Sequence, residues 1–155
     1  MNILKFIIFL VINFGGLAIG GYFTGKGVPS DWYLNLNKAP WTPPGWVFGA
    51  AWTTIMICFS IYLAYLYPKT TAVKTMLILF AISWALNVFW NVAFFGTHLP
   101  WLGLAVIAAL TALTLYFLFA YWKEMQWLSL LILPYVIWLC IATSLNAYIV
   151  LQNDF

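Results

Sequence analysis

The stretch of sequence that decides the fold spans residues 75–122. It reads TMLILFAISWALNVFWNVAFFGTHLPWLGLAVIAALTALTLYFLFAYW and carries no charged side chain apart from the ionisable His98. One membrane-spanning helix needs about 20 apolar residues, so this stretch is too long for a single crossing and must fold back once. Glycine and proline place the reversal at Gly96-Thr97-His98-Leu99-Pro100. The stretch therefore predicts two antiparallel helices, at 74–95 and 100–122.

Three further uncharged stretches flank this pair, at 6–23, 46–67 and 125–151. They predict helices at 4–24, 46–67 and 126–150, because lipid-exposed backbone must satisfy its own hydrogen bonds and the stretches are too long for barrel strands. The first of these stretches is longer than the apolar core of a signal peptide, so we expect it to be a retained helix. The predicted fold is an all-α integral membrane protein, a five-helix transmembrane bundle forming a single domain over residues 1–155.

The composition supports the membrane class. Of 155 residues, 66% are hydrophobic and only 6% are charged, whereas a soluble domain carries about 25% charged residues. This excludes a soluble enzyme and a disordered chain. The six basic residues are all lysines, so no arginine fork is present for phosphates. We expect the lipid bilayer as a partner and no nucleic acid.

The lysines predict the orientation in the membrane. The predicted helices place four lysines on one side of the membrane and two on the other. The four are Lys5, Lys69, Lys74 and Lys123, and the two are Lys26 and Lys38. Because positive charge favours the cytoplasmic side, the N-terminus is predicted in the cytoplasm and the C-terminus outside.

One connection is long enough to have structure of its own. Residues 25–45 read GKGVPSDWYLNLNKAPWTPPG and combine prolines with aromatic residues, unlike a flexible linker. This pattern predicts a structured segment, here called the lid, that covers the mouth of the bundle.

The predicted interior is aromatic and uncharged. No acidic or basic residue lies inside a span, and no His/Cys cluster has metal-ligand spacing, so proton-coupled transport, hydrolysis and metal chemistry are disfavoured. Helical spacing groups three sets of residues on shared faces: Phe48, Trp52 and Phe59; Trp84, Asn87, Asn91 and Phe94; Tyr135, Trp138, Ala142 and Asn146. Two interpretations stay open, a site for a flat apolar ligand with polar edges or helix packing with the asparagines bonding across helices.

Several single positions also carry expectations. His98 is read as a solvated turn residue, with an axial ligand to a metalloporphyrin as the alternative. The cysteines, Cys58 and Cys140, are read as small buried hydrophobic residues. Pro134 is expected to kink the fifth helix just before Trp138. The small-residue pairs Gly16-xxx-Gly20, Gly21-xxx-Gly25 and Ala108-xxx-Ala112 permit close helix contact without deciding the oligomeric state.

The motifs resemble the TspO/MBR family of tryptophan-rich sensory proteins and translocator proteins, also called peripheral-type benzodiazepine receptors. The matching elements occur in the family's order over nearly the whole chain: Trp32-Tyr33-x-x-Leu36-x-Lys38, Trp41-x-Pro43-Pro44-x-x-x-Phe48-x-x-x-Trp52, Leu86-Asn87-x-x-Trp90, Phe94-Phe95-Gly96, and Pro134-Tyr135-x-x-Trp138-x-x-x-Ala142-Thr143-x-x-Asn146.

The resemblance implies a five-helix bundle, commonly dimeric, whose first loop closes over a ligand pocket. It implies binding of porphyrins such as protoporphyrin IX and haem, and of drug-like apolar molecules, with no required cofactor. Carried over to this chain, the ligand-binding candidates are Tyr33, Trp41, Trp52, Asn87, Trp90, Trp101, Tyr135, Trp138, Ala142 and Asn146. Trp32 and Trp138 match indoles implicated, in some bacterial members, in light- and oxygen-dependent porphyrin breakdown.

The chain departs from the family pattern in two places. The lid reads Lys38-Ala39-Pro40-Trp41 where the family usually has Lys-Pro-x-Trp. No basic residue follows Tyr148, so cholesterol binding is not expected and a bacterial membrane is favoured by analogy. With no cation inside the bundle, we expect porphyrin propionates to point to Lys26 or Lys38. Three functions stay open: a porphyrin receptor or carrier with a role in tetrapyrrole regulation or transport, a low-turnover photo-oxidative enzyme, and a ligand-responsive scaffold.

Overall fold

The computed structural model describes residues 2–155, and the described chain is helical without strands. Its α-helices are α1 (Ile3–Gly27), α2 (Asp31–Leu34), α3 (Gly45–Leu66), α4 (Val73–Asn91), α5 (Pro100–Ala120), α6 (Trp122–Met125) and α7 (Leu133–Gln152). Five helical segments are long and apolar enough to cross a membrane: Ile3–Gly27, Gly45–Leu66, Val73–Gly96, Pro100–Ala120 and Trp122–Gln152. The prediction of a five-helix integral membrane protein is confirmed.

The long helices form a closed ring. Helix α1 packs against α3 and α4, α5 packs against α4 and α7, and α7 returns to α3. The first predicted span is thus a member of the bundle. At one end Lys5 Nζ lies 3.1 Å from the centre of the Tyr67 ring, and Lys69 Nζ donates to the Glu124 carbonyl over 3.2 Å. These contacts bring the start of α1 and two connections, α3–α4 and α5–α7, together at what we call the lysine end; the opposite end carries the lid.

The reversal between the third and fourth spans lies where the sequence places it. Helix α4 continues as a π-helical turn, Val92–Gly96, in which Thr97 N–H donates to the Val92 carbonyl over 2.8 Å. His98 follows with a positive φ of 54°, and Pro100 begins α5. The π-helical turn was not predicted. Such turns occur often at functional sites, and this one holds the Phe94-Phe95-Gly96 motif.

The start of the fifth span differs from the prediction. After α6 the chain forms a 3-10 helix, Gln126–Ile132, and becomes α-helical at Leu133. The expected kink at Pro134 is wrong, because this proline lies in the first turn of α7, where a helix needs no N–H donor. The change of helix type comes before it.

The lid is structured, as predicted, although α1 runs to Gly27 and shortens it. Ser30 caps α2 by accepting a hydrogen bond from Tyr33 N–H over 3.3 Å. Lys38 Nζ then closes the other end of this turn by donating to the carbonyls of Tyr33, Leu34 and Leu36, at 2.7, 3.2 and 3.3 Å. The charge of Lys38 therefore braces the lid itself.

Close contact between α1 and α4 uses one of the small-residue pairs. A Cβ added at Gly16 would lie 2.5 Å from Trp84 Nε1, and one at Gly20 would lie 2.6 Å from Asn91 Nδ2. Across the same interface Trp84 Nε1 donates to the Ile12 carbonyl over 2.9 Å. For Trp84 and Asn91, helix packing is the correct interpretation.

The cysteines follow their expected reading only in part. Cys58 is half-buried, whereas Cys140 is exposed on α7, so the expectation that both are buried is wrong for Cys140. An apolar helix in a membrane has no polar stripe to mark its outward face. The sequence therefore could not show which of its small residues face lipid.

Candidate functional site

An aromatic cluster, here called the mouth cluster, joins the lid to the bundle. Trp32 lies edge-on to Phe94 with ring centroids 5.6 Å apart, and Tyr33 lies 5.5 Å from Phe95. Trp90 stacks on Phe94 at 5.4 Å and an interplanar angle of 20°. Burial here raises the pKa of the Tyr33 hydroxyl. Two predicted binding residues, Tyr33 and Trp90, thus lie in one cluster under the lid.

Asn146 links three helices beneath this cluster. Its Nδ2 donates to the Pro100 carbonyl over 2.8 Å, and its Oδ1 accepts from Trp90 Nε1 over 3.1 Å. Gly103 permits this approach, since an added Cβ would lie 3.1 Å from Asn146 Oδ1. Asn146 is 2% exposed. The predicted bonding of asparagines across helices is confirmed at this position.

Asn87 differs from the other asparagines of the bundle. It is 8% exposed, and its side-chain amide makes no hydrogen bond to any residue in the described range 2–155. Only its backbone carbonyl is used, as the acceptor for Asn91 Nδ2 at 3.0 Å. An amide without a partner is expensive inside a membrane bundle. Asn87 is therefore a polar group whose presence packing does not explain, as are the Trp138 indole N–H and the Ser129 hydroxyl, which are buried without a partner among residues 2–155.

The predicted aromatic faces of α3 and α7 meet in the main core. Trp52 lies 6.1 Å from Tyr135, Phe59 lies 5.3 Å from the same ring, and Phe48 lies edge-on to Trp138 at 5.2 Å. Ala142, also predicted, is buried one turn beyond Trp138. The structure thus brings Trp52, Tyr135 and Trp138 into one packed layer.

Two predicted binding residues lie apart from both groups. Trp41 is 54% exposed, donates from Nε1 to Ser144 Oγ over 3.2 Å, and lies edge-on to Tyr148. Trp101 is 55% exposed at the start of α5. Both residues lie at the outer surface and do not line the interior of the bundle. The family pattern gave their places in the sequence, but not the direction of their side chains.

His98 lies against an indole rather than free in solvent. Its ring stacks on Trp32 with centroids 4.3 Å apart and planes 10° apart, while the residue stays exposed. The positive φ of His98 turns the chain so that the α4–α5 reversal meets the lid. Both residues belong to connections without helical periodicity, so no pattern in the sequence could have paired them.

A cleft of about 610 Å³ lies between α3 and α7. We call it the α3–α7 cleft. Its wall is apolar and includes Ala50, Ala51, Thr54, Pro134 and Trp138. Trp138 is 6% exposed, and its indole N–H is buried without an acceptor among residues 2–155. This cleft thus lies beside the packed layer of Trp52, Tyr135 and Trp138.

A hydrogen-bonded clasp fastens the lid to the end of α7. Asn37 N–H donates to Asn153 Oδ1 over 2.8 Å, and Asn153 Nδ2 donates back to the Asn37 carbonyl over 3.2 Å. Asn37 Nδ2 also donates to the Gln152 carbonyl over 3.0 Å. A second, smaller cleft of about 460 Å³ lies beside the clasp, with Trp32 and Phe155 in its wall. The clasp could not be predicted from the sequence, because its partners lie far apart along the chain.

Comparisons with known proteins agree with this architecture. The sequence model of the TspO/MBR family matches residues 7–151. The tryptophan-rich protein TspO of Archaeoglobus fulgidus is 34% identical over 99% of both chains. The protein CrtK of Rhodobacter capsulatus is 33% identical over 94% of this chain and 91% of its own, and the human translocator protein is 31% identical over 84% and 79%. The chain therefore belongs to the TspO/MBR family.

Proposed function

We propose that this membrane protein is a receptor or carrier that binds porphyrins, such as protoporphyrin IX and haem, and similar flat apolar molecules within the bundle. Family membership supports a role of this kind, and so does the chemistry of the interior. Aromatic faces suit a flat ring system, and a few amides suit its polar edges. The site would take the mouth cluster as its upper wall and the layer of Trp52, Tyr135 and Trp138 as its floor.

The unpaired amide of Asn87 is the observation that carries the proposal. Trp84 and Asn91, which share its face of α4, are explained by contacts with α1. Asn87 has no such contact in the described chain, yet it is nearly enclosed. A ligand that hydrogen-bonds to this amide would remove the penalty of leaving it unpaired.

A fluorescence titration tests the proposal. Protoporphyrin IX is added in the dark to detergent-purified protein, whose ten tryptophans report binding by quenching. We expect saturable quenching in the parent protein and an affinity about tenfold lower in Asn87→Ala, the loss of one buried hydrogen bond. Asn35→Ala, an exposed lid position, is the matched control and should leave the affinity unchanged. Quenching that rises without saturation and ignores Asn87→Ala would contradict the proposal.

The two lysines of the lid end are proposed to receive the porphyrin propionates. Within the described range 2–155, the polar contacts of Lys26 Nζ are with Tyr22 of its own helix, so its charge remains available at the mouth. Lys38 lies over the Tyr33 ring at 4.8 Å and already serves three carbonyls. Substituting both by glutamine should weaken porphyrin binding more at low salt than at high salt. An affinity independent of these substitutions would exclude this placement of the propionates.

Light-dependent breakdown of the bound porphyrin is the second candidate function. It is favoured by the accessible position of Trp32, which is half-buried at the mouth and stacked on His98. Illumination of the same titration in air separates the two functions. Breakdown that exceeds the rate for free porphyrin, and that is lost in Trp32→Phe or Trp138→Phe while dark binding persists, would make the protein an enzyme. If the porphyrin in the protein sample broke down no faster than free porphyrin, only the receptor function would remain.

A further inference from the structure

The charge of the protein is distributed unequally between the two ends of the bundle. The lid end holds two lysines and two aspartates, whose charges balance: Lys26, Lys38, Asp31 and Asp154. The lysine end holds four lysines and a single glutamate: Lys5, Lys69, Lys74, Lys123 and Glu124. With His98 neutral, the entire formal net charge of +3 therefore lies at the lysine end.

The contacts at the lysine end leave this positive charge uncompensated. Lys5 Nζ lies over the Tyr67 ring at 3.1 Å, and Lys69 Nζ meets the main-chain carbonyl of Glu124 rather than its carboxylate. Glu124 Oε2 is buried and accepts no hydrogen bond within residues 2–155. Lys123, its neighbour in the chain, is exposed. The ammonium groups thus face a ring, a carbonyl and solvent, and they are available to an anion from outside.

Exposed indoles place the α5–α7 connection at the level of lipid headgroups. Trp122 and Trp127, which lie on either side of Lys123 in the chain, are 47% and 81% exposed. Tryptophan is enriched at the membrane–water interface, because its ring is apolar and its N–H is polar. Lysine side chains extend their ammonium groups to the same level. Lys123 therefore lies at the depth of the lipid phosphates.

The chemistry of this end favours an anionic phospholipid over other anions. Exposed lysines hold a free phosphate ion weakly, because water and salt screen each charge. A lipid is already concentrated in the bilayer, and its acyl chains can pack on the apolar outer face of α1, where Ile3, Leu4 and Ile7 are exposed. A zwitterionic headgroup carries an ammonium group of its own, which the lysines repel. A headgroup with net negative charge is attracted without this repulsion.

We propose that the lysine end is a binding surface for anionic phospholipids of the phosphatidylglycerol type. The lipid phosphate accepts charge-assisted hydrogen bonds from Lys69 and Lys123. Lys5 adds its charge from the start of α1, and the glycerol and upper acyl chains lie against Trp122 and Trp127. This surface is at the end of the bundle opposite the lid, so it is separate from the proposed porphyrin site.

Native mass spectrometry of the lipid-depleted, detergent-purified protein tests the proposal by counting the lipids that stay bound. Phosphatidylglycerol is the probe, and phosphatidylcholine with the same acyl chains is its matched control. We expect phosphatidylglycerol to bind about fivefold more tightly or better, since one lysine near a membrane surface contributes a factor of this size. An equal concentration of inorganic phosphate should not displace it. Equal binding of the two lipids would overturn the selection by charge, and displacement by inorganic phosphate would overturn the lipid as the occupant.

Single charge removals locate the bound lipid. Lys123→Gln and Lys69→Gln should each weaken phosphatidylglycerol binding about fivefold, and the double variant about 25-fold. Lys123→Arg, which keeps the charge, should retain the affinity. Asn35→Asp lowers the net charge by the same one unit at the lid end, and as the matched control it should leave the affinity unchanged. Equal losses in Asn35→Asp and Lys123→Gln would show attraction by overall charge alone and would overturn the proposal. The porphyrin titration is a separate measurement, so either proposal can fail alone.

Discussion

The lysine end and the lid end of the bundle are held by different kinds of contact. At the lysine end large side chains are completely enclosed: Tyr62, Leu63, Leu66 and Phe117 have no exposed surface, and Tyr62 OH donates to the Phe117 carbonyl over 2.9 Å. At the lid end, ring faces and exposed amides make the contacts. The clasp of Asn37 and Asn153 is open to solvent.

This difference indicates that the two ends of the bundle have separate roles. Separating close-packed apolar side chains costs much free energy, because every displaced atom loses its van der Waals contacts. Exposed hydrogen bonds exchange their partner for water at little cost. The lysine end can therefore keep the ring of helices assembled while the lid end opens locally. Segments that admit ligands are generally drawn from the regions of low local stability.

The largest expected effect concerns the core of the lysine end. Phe117→Ala should lower the free energy of unfolding by about 3–5 kcal/mol, because it leaves a cavity in a fully packed layer. Trp41→Ala, an equally drastic truncation on the lid, should lower it by about 1 kcal/mol or less. Thermal unfolding in detergent, followed by circular dichroism, measures both. If the two variants lost stability equally, the contrast between the ends would be wrong.

A smaller effect is expected along the α1–α4 interface, which connects the two ends. Gly20→Ala should destabilise by about 1–3 kcal/mol, because its new methyl group would press on the Asn91 amide. That amide cannot move freely, since Thr24 Oγ1 donates to its Oδ1 over 2.7 Å. Gly21→Ala is the matched control on the next residue, where an added Cβ meets nothing within 4 Å. The same unfolding measurement distinguishes them.

The outcome at these glycines also bears on oligomer formation. If Gly20→Ala were harmless and Gly21→Ala destabilised the protein, the outward pair Gly21 and Gly25 would be in contact with another molecule. The expected result instead confines the role of Gly16 and Gly20 to packing within one chain.

Sequence reasoning was most successful where one physical requirement dominates. Apolar length fixes the number of spans, and Gly96 and Pro100 fix the reversal within residues 75–122. Helical spacing also brought Trp52, Phe59 and Tyr135 to one layer, because residues on one face of a helix must meet the same neighbour.

The candidate site was predicted less completely, for reasons visible in single residues. Trp41 and Trp101 are each more than half exposed, and in an apolar span or loop the sequence carries no polar stripe to reveal this. The charge of Lys38 indicates a contact for a ligand's anion, but nothing in the sequence shows that its Nζ also donates to the Tyr33, Leu34 and Leu36 carbonyls. The π-helical turn at Val92–Gly96 and the clasp depend on tertiary contacts, which local propensity does not encode.

The smallest expected effect concerns the lid, whose clasp side and mouth-cluster side should respond differently to loss of the clasp. Asn37→Ala should remove the bond from its Nδ2 to the Gln152 carbonyl, worth about 1 kcal/mol, whereas Asn153→Ala should remove both bonds to the Asn37 backbone and cost more. The Thr42 amide, which donates to the Ala39 carbonyl over 2.9 Å on the clasp side, should then exchange its hydrogen about fivefold faster. The Leu34 amide, next to the mouth cluster, should keep its rate.

Hydrogen exchange read residue by residue decides this prediction, with Asn35→Ala as the control on the same segment. If Thr42 and Leu34 accelerated together, the lid would open as one body and the mouth cluster would not anchor it. If only Thr42 accelerated, the lid would open from the α7 side and turn about Trp32 and Tyr33. A ligand would then enter between the lid and α7, beside Asn146 and Trp90, without disturbing the lysine end.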